Sequence, residues 1–509
     1  MPRRRPANDK IAVIDLFAGP GGLGEGFSSH ERKGQFPFNI VLSAEKDPMA
    51  RKTLELRSFY RKFRGRDLPR EYWEHLKGLL SREDLFAAFE AEGQAARQES
   101  ELFELGEANR ARLERRLDSL ALDRDRTIVI GGPPCQAYSV AGRSRNGAKA
   151  GWTLETDARS HLYREYLHVL AYVEPAAFVM ENVRGLLSAR FDGASVFEMI
   201  RADLRQPRKA LRLGGKGRRY RLLPVAAVDS GSQTSFVSED DTPAEAFLVR
   251  AEEHGIPQAR HRVIILGIAE ELVPSDGRPA LARMTTRVTV EDAIGKLPPV
   301  RSVLSAGMDS HGRWLAALRG ALTKTKSKGV DAAVLAVMEE AVESAAGSDP
   351  GRGAEWIAPH GRRRAVLNHQ SRGHMEGDLH RYLFASSWAR VNGISPILED
   401  FPIGLLPDHA NIGRSGGGTI FNDRFRVQCW EQPATTVVSH ISKDGHYYIH
   451  PDPAQCRSLT VREAARLQTF PDDYFFCGPR TSQFQQVGNA VPVALAGMIA
   501  AIVHGQIAS

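Results

Sequence analysis

Cysteine is scarce: Cys135, Cys429, Cys456 and Cys477 are the four in 509 residues. Their scattered spacing matches neither a disulfide framework nor a C-x-x-C zinc site, so a reducing cytosol is the expected setting and no metal is expected. The N-terminus Met1-Pro2-Arg3-Arg4-Arg5-Pro6 lacks the apolar stretch of a signal peptide. No run approaches the ~18 apolar residues of a membrane span, so no membrane association is expected. Internal repeats are absent. Charge of one sign does not dominate: the formal net charge is +7 and the pI about 9.2, an excess that suits a polyanionic partner without establishing one. What is present is ordinary globular material, 42% apolar and 25% charged, in a chain long enough for two domains or one domain with a large insertion.

Short apolar runs end repeatedly in glycine or an acid. Residues 11–18 (IAVIDLFA) run into Gly19-Pro20-Gly21-Gly22, with a helix expected from Leu23. The same sign recurs at Thr127–Ile130 before Gly131-Gly132, at Ala177–Met180 before Glu181, and at Arg262–Gly267. Helical stretches such as His161–Tyr172 alternate with them. The pattern predicts an α/β domain with a largely parallel sheet and its chemistry at the strands' carboxyl ends. Residues 68–126, rich in Glu, Arg, Leu and Ala, read as an inserted helical hairpin, either a solvated cover or a DNA- or partner-binding arm. Residues 269–456 mix helical pieces such as Asp331–Ala345 with Gly-rich sequence such as Gly413–Gly418 and read as a separate small domain. A C-terminal helix over Val491–His504 follows. The basic stretch Arg201–Arg221 is either a solvated loop or a phosphate contact.

Glycines where a strand turns into a helix let backbone N–H groups approach a ligand, and the helix dipole faces it. Asp15–Gly22 therefore reads as a nucleotide-type binding turn or a tight structural one. Glu45 ends the next strand, Phe38–Ala44, where a carboxylate could take a ribose diol. In Gly131-Gly132-Pro133-Pro134-Cys135-Gln136 two prolines fix φ and present the following thiol from a rigid loop. A thiol attacks only as thiolate, and Arg143 and Arg145 lie close in sequence. The other three cysteines read as small buried hydrophobes.

Asp15–Gly22, Glu45, Pro133-Pro134-Cys135-Gln136, Glu181-Asn182-Val183, Gln258-Ala259-Arg260-His261-Arg262, Arg462–Pro471 and Gly488-Asn489-Ala490-Val491-Pro492 together resemble, in order, the bacterial C5-cytosine DNA methyltransferases. The resemblance covers about 1–268 and 457–509. It implies a Rossmann-like class I methyltransferase domain (1–268, completed by 457–509) and a smaller, mixed target-recognition domain (269–456). It implies S-adenosyl-L-methionine as cofactor and double-stranded DNA as partner. A cognate restriction endonuclease on the same site, a monomer and a cytoplasmic location are expected with it. Cys135 would be the nucleophile at cytosine C6, and Glu181 the carboxyl group at N3, a role that suits a raised pKa. Arg262 resembles the arginine that holds O2, and Arg260 the one nearer the phosphates. Phe17, Gly19, Gly21, Gly22, Glu45, Pro134 and Asn489 would line the cofactor pocket, and Asp67 would read the adenine amine, although its surroundings depart from the family pattern. Tyr138 stands where Phe or Gly is more usual. Pro433–Val437 resembles the Thr-containing element beside the flipped nucleotide, or is a plain strand. The block around Arg462 reads as structural, a helix N-capped by Thr460 with Glu463 closing a capping box.

The rival readings are a non-catalytic DNA-binding regulator, an RNA cytosine methyltransferase and a dehydrogenase. The first should have lost the thiol, the carboxylate or the glycines, and the last leaves Cys135 and Glu181 without purpose. A target-recognition segment of this length favours duplex DNA over RNA.

Overall fold

The computed structural model describes residues 10–134, 161–226, 242–273, 280–326, 330–353, 366–407 and 423–507. Cys135, Tyr138, Arg143, Arg145 and the Gly413–Gly418 stretch lie outside the described residues.

Among the described residues an 8-stranded sheet organises the larger part of the chain. Its strands are β1 (Ile11–Leu16), β2 (Phe38–Glu45), β3 (Ser100–Leu102), β4 (Thr127–Gly131), β5 (Ala177–Val183), β6 (Tyr220–Pro224), β7 (Leu248–Arg250) and β8 (His261–Ala269). The order is β3-β2-β1-β4-β5-β8-β6, with β7 also on β8. Strands β1 to β5 are mutually parallel, whereas β8 runs antiparallel to β5, β6 and β7. The sheet is therefore mixed. β-branched apolar residues on both faces suit strands buried on both sides. One face packs on His161–Val173 and Val196–Arg205, the other on Gly22–Ser29 and Val493–Ile507. Strand order reverses between β1 and β4, which pair Leu16 with Gly131, so the crevice of this sheet opens between the loops that follow them.

Three expectations change. The 68–126 stretch is not a hairpin: helices Arg70–Leu76, Arg82–Ala88 and Glu90–Glu99 precede β3, and Arg110–Asp118 leads back to β4. Tyr72, Leu76, Leu85 and Phe86 bury against Leu56, Phe59 and Phe63 of helix Pro48–Arg61 and reach Leu367, which makes the stretch a packed cover. Secondly, the Arg201–Arg221 stretch lies at the end of the sheet away from the crevice. Arg218 donates to the Glu174 and Arg124 carbonyls and pairs with Glu271, groups that flank the opposite ends of β5, β4 and β8. Thirdly, Arg480–Ile507 is long and apolar enough to cross a membrane by composition alone. It is broken between helices Arg480–Asn489 and Val493–Ile507, and the second packs on Gly22–Ser29 as a core helix does.

Within 269–456, helices His311–Lys326, Ala332–Gly347 and Glu376–Asn392 enclose their own core around Trp314, Leu318, Met338, Tyr382 and Leu383. Val290, Ile294, Ala434, Val437 and Tyr448 instead bury with Leu459, Ala465 and Val487. The small domain is thus wedded to the C-terminal segment through a shared apolar layer.

Candidate active site

The turn after β1 is shaped by backbone that only glycine adopts without strain: Gly19 and Gly21 have φ of +57° and +97°. Phe17, at φ +54°, is half-buried at its start. Gly22 opens the helix against the C-terminal segment, where a Cβ would stand 2.3 Å from the Val491 carbonyl oxygen. That close approach brings Ala490 and Val491, which follow exposed Asn489 in the chain, against the turn. Glu45 closes the other side: Oε2 accepts from Gly19 N at 2.8 Å and Oε1 from Asp47 N at 2.7 Å. Burial raises the Glu45 carboxyl above its usual range. Each oxygen keeps a lone pair for a diol hydroxyl. A ribose-bearing cofactor fits this arrangement, since Glu45 faces a turn whose Gly19 has open space where a side chain would be. Gly22→Ala should force the helix away from Val491 and weaken binding of such a cofactor about tenfold, which a calorimetric titration checks.

Beside this turn β4 leads into Gly132-Pro133-Pro134, and β5 ends in Glu181-Asn182-Val183. Asn182 Nδ2 donates to the Pro133 carbonyl at 3.4 Å. A Cβ on Gly132 would lie 2.9 Å from Glu181 Oε2, so the carboxylate sits against the backbone that leads to Cys135. Glu181 Oε1 pairs with Arg262 Nε at 2.8 Å. Antiparallel pairing of Arg262 with Val183 sets that contact, since Glu181 and Arg262 then share a face of the sheet. Acid, arginine and the Gly132-Pro133-Pro134 backbone converge at one end of β4, β5 and β8.

Two expected residues do not join them. Arg260 is 3% exposed and donates Nη1–H to the Val437 carbonyl at 2.9 Å, so a DNA phosphate has no access to it here. Burial and neighbouring Arg262 bring its guanidinium down to about 9, and its Nε has no hydrogen-bond partner among the described residues. It pins β8 to the small domain. Asp67 is exposed beyond the far end of helix Pro48–Arg61, whose N-terminus is capped by Asp47 beside Glu45. Nearby Arg64 stacks over Phe36, at the amino end of β2, so Asp67 stands at the opposite end of the sheet from the crevice. The residue that pairs with Glu45 there is Leu102, 49% exposed, followed by Phe103, whose N–H donates to the Glu45 carbonyl. A three-residue strand inside a Glu- and Arg-rich stretch carries no periodic signal that could have identified them.

The Thr-containing element is a short strand: Ala434–Thr435 pairs parallel with Gln258–Ala259, and Thr436 Oγ1 donates to the Ala259 carbonyl at 2.6 Å. Cys429, Cys456 and Cys477 are free, and burial raises all three thiols, Cys429 and Cys477 to about 11.

Residues 110–206 and 244–504 match the C-5 cytosine-specific DNA methylase family. The chain is 32% identical to the Type II methyltransferase M.Bpa9945I of Bacillus paralicheniformis, over 96% of this chain and 98% of the relative. It is 27% identical to the Type II methyltransferases M1.HphI of Haemophilus parahaemolyticus, over 73% and 67% of the two chains, and M.AgeI of Thalassovita gelatinovora, over 72% and 80%. The chain belongs to the C-5 cytosine-specific DNA methylase family. This DNA (cytosine-5-)-methyltransferase acts on DNA and takes its methyl group from S-adenosylmethionine, as family membership implies. Its α/β sheet is of the methyltransferase kind, with β8 antiparallel to its neighbours.

Proposed function

We propose that the enzyme methylates C5 of a cytosine flipped out of a specific duplex sequence, through a covalent bond between Cys135 and C6. The observation that carries this reading is the Glu181–Arg262 pair backed onto Gly132, three residues before the thiol and beside the glycine turn. Cytosine C5 is a poor nucleophile. Addition of the Cys135 thiolate at C6 pushes an electron pair to C5, and a proton or hydrogen bond from Glu181 at N3 relieves the charge that develops. Arg262 holds O2 and orients the Glu181 carboxyl. S-adenosylmethionine supplies an electrophilic methyl group, held by Phe17, Gly19, Gly21, Gly22, Glu45, Pro134 and Asn489. The C5 electron pair would take that methyl as its bond to sulfur breaks, leaving S-adenosylhomocysteine; loss of the C5 proton to water and elimination of Cys135 as thiolate then release the product. A base stacked in duplex DNA does not offer its C6 to a protein thiol, which calls for base flipping. The small domain reads the sequence, and Arg260 positions it against β8 rather than contacting phosphate.

The Type II names of the relatives support a restriction–modification role with a cognate endonuclease on the same site. We take the enzyme to be a cytoplasmic monomer, because one flipped base needs one active site.

Incubation with tritiated S-adenosylmethionine and mixed-sequence duplex DNA, beside a transfer-RNA control, tests the activity. Label at C5 of cytosine in DNA is expected; label in RNA alone would move the enzyme to another substrate. In the same assay Glu181→Gln should lower turnover by about 10²–10⁴-fold while DNA binding persists. Unchanged turnover would remove Glu181 from the reaction.

A further inference from the structure

We infer that Tyr474 is a positioning residue for the cofactor turn, tying it to the segment that carries the small domain. The inference rests on the cofactor reading of Gly19–Gly22. Tyr474 is 1% exposed, and its hydroxyl donates to the Pro20 carbonyl, in the peptide that joins Pro20 to left-handed Gly21. That peptide unit is held on its N–H side by the Gly21 N–H bond to the Ala18 carbonyl at 2.9 Å, and the Tyr474 hydroxyl holds its carbonyl side, so the two bonds together fix its orientation beside a residue with no Cβ. A Cβ on Gly21 would lie 3.0 Å from the same hydroxyl oxygen, which shows how closely the side chain follows the turn. Burial keeps the phenol protonated, and therefore a donor, throughout the neutral range.

Ring and backbone are each held by an arginine. Arg57 stands 4.9 Å from its centroid and pairs through Nε and Nη2 with both oxygens of Glu25, in the first turn of the helix that the glycines open. Arg57 also pairs with Asp473 at 3.1 Å. The Tyr474 backbone is fixed by Arg462, fully buried, which donates to the carbonyls of Tyr474, Pro471 and Leu367 at 2.5, 3.0 and 2.8 Å. Leu367 lies in the small domain, shortly before its strand Gly373–His374. The block around Arg462 thus serves the cofactor end of the crevice as well as the recognition end. Tyr474 lies behind the turn, so it acts through Pro20.

Tyr474→Phe keeps the ring and removes the donor. Calorimetric titration of the full chain with S-adenosylmethionine, without DNA, should give a Kd raised about five- to twentyfold, the worth of one buried hydrogen bond. KM for the cofactor should rise with it, kcat at saturating cofactor should stay within about twofold, and DNA affinity without cofactor should not move. An unchanged Kd, or equal loss of DNA affinity, overturns the inference. Arg57→Lys, which loosens the clamp and leaves the hydroxyl, should raise the Kd about two- to threefold; if Tyr474→Phe does not fold, an unchanged Kd for Arg57→Lys overturns it instead. A wild-type chain that binds no S-adenosylmethionine defeats the cofactor reading itself, whereas binding that Tyr474→Phe leaves intact defeats this inference alone.

Discussion

Cys135→Ser should reduce methylation at least about a thousandfold while leaving DNA and S-adenosylmethionine binding in place. A serine hydroxyl is ionised far less than a thiol near neutral pH and is the weaker nucleophile, so C6 addition stops and C5 never becomes reactive. No other described thiol can substitute, because burial holds those of Cys429, Cys456 and Cys477 in the protonated form. A duplex carrying 5-fluorocytosine gives a second readout. Fluorine cannot leave C5 as a proton does, so the methylated adduct cannot eliminate and the protein should stay on the DNA through denaturing electrophoresis. That band should vanish in Cys135→Ser. Methylation surviving the substitution would end the covalent reading, whatever the band shows.

Glu463→Gln should be the most damaging single change to stability, at about 3–5 kcal/mol. Arg457 and Glu463 are each 1% exposed and pair through two contacts of 2.7 Å. Glu463 also accepts from Thr460 N at 2.7 Å, closing the capping box of helix Val461–Leu467. An amide keeps the shape but leaves the Arg457 guanidinium buried without its counter-charge. Urea unfolding of the variant checks the loss, and Arg457→Met combined with Glu463→Leu should recover much of it if the unpaired charge is the cause. A small loss in the single variant would mean that Arg457 finds another acceptor. Acid acts on the same cluster. His450 lies 3.5 Å from Glu463, and burial, with Arg457 behind it, holds its imidazole at about 4. With an unfolded value near 6.5, its contribution to stability is complete above that pH and is lost as pH falls towards 4, because unfolding then takes up a proton. The urea midpoint should therefore decline across that window.

Local features were legible because their causes are local. Ile11–Leu16 is an apolar run that stops at glycines, helices began within two residues of Leu23 and Val491, and Thr460 and Glu463 meet because three residues make one helical turn. The order of the motifs was equally plain, and with it the family. Partner choice across the fold was not. β3 is three residues long and exists because β2 offers it a parallel edge, and only pairing with β5 reveals that β8 runs backwards. Asp67 carried the right chemical group, but a helix of 14 residues takes the chain to the wrong end of the sheet. Arg260 and Arg262 are two residues apart in one motif, yet the first is sealed under Val437 and the second meets Glu181. Tyr474 touches a turn 454 residues away. The amino-acid sequence by itself determined which chemical groups this enzyme owns and the short elements that carry them, since these follow from backbone propensity and neighbours within a turn. Only the tertiary structure decided which groups meet, because strand pairing and burial bring together residues separated by tens to hundreds of positions.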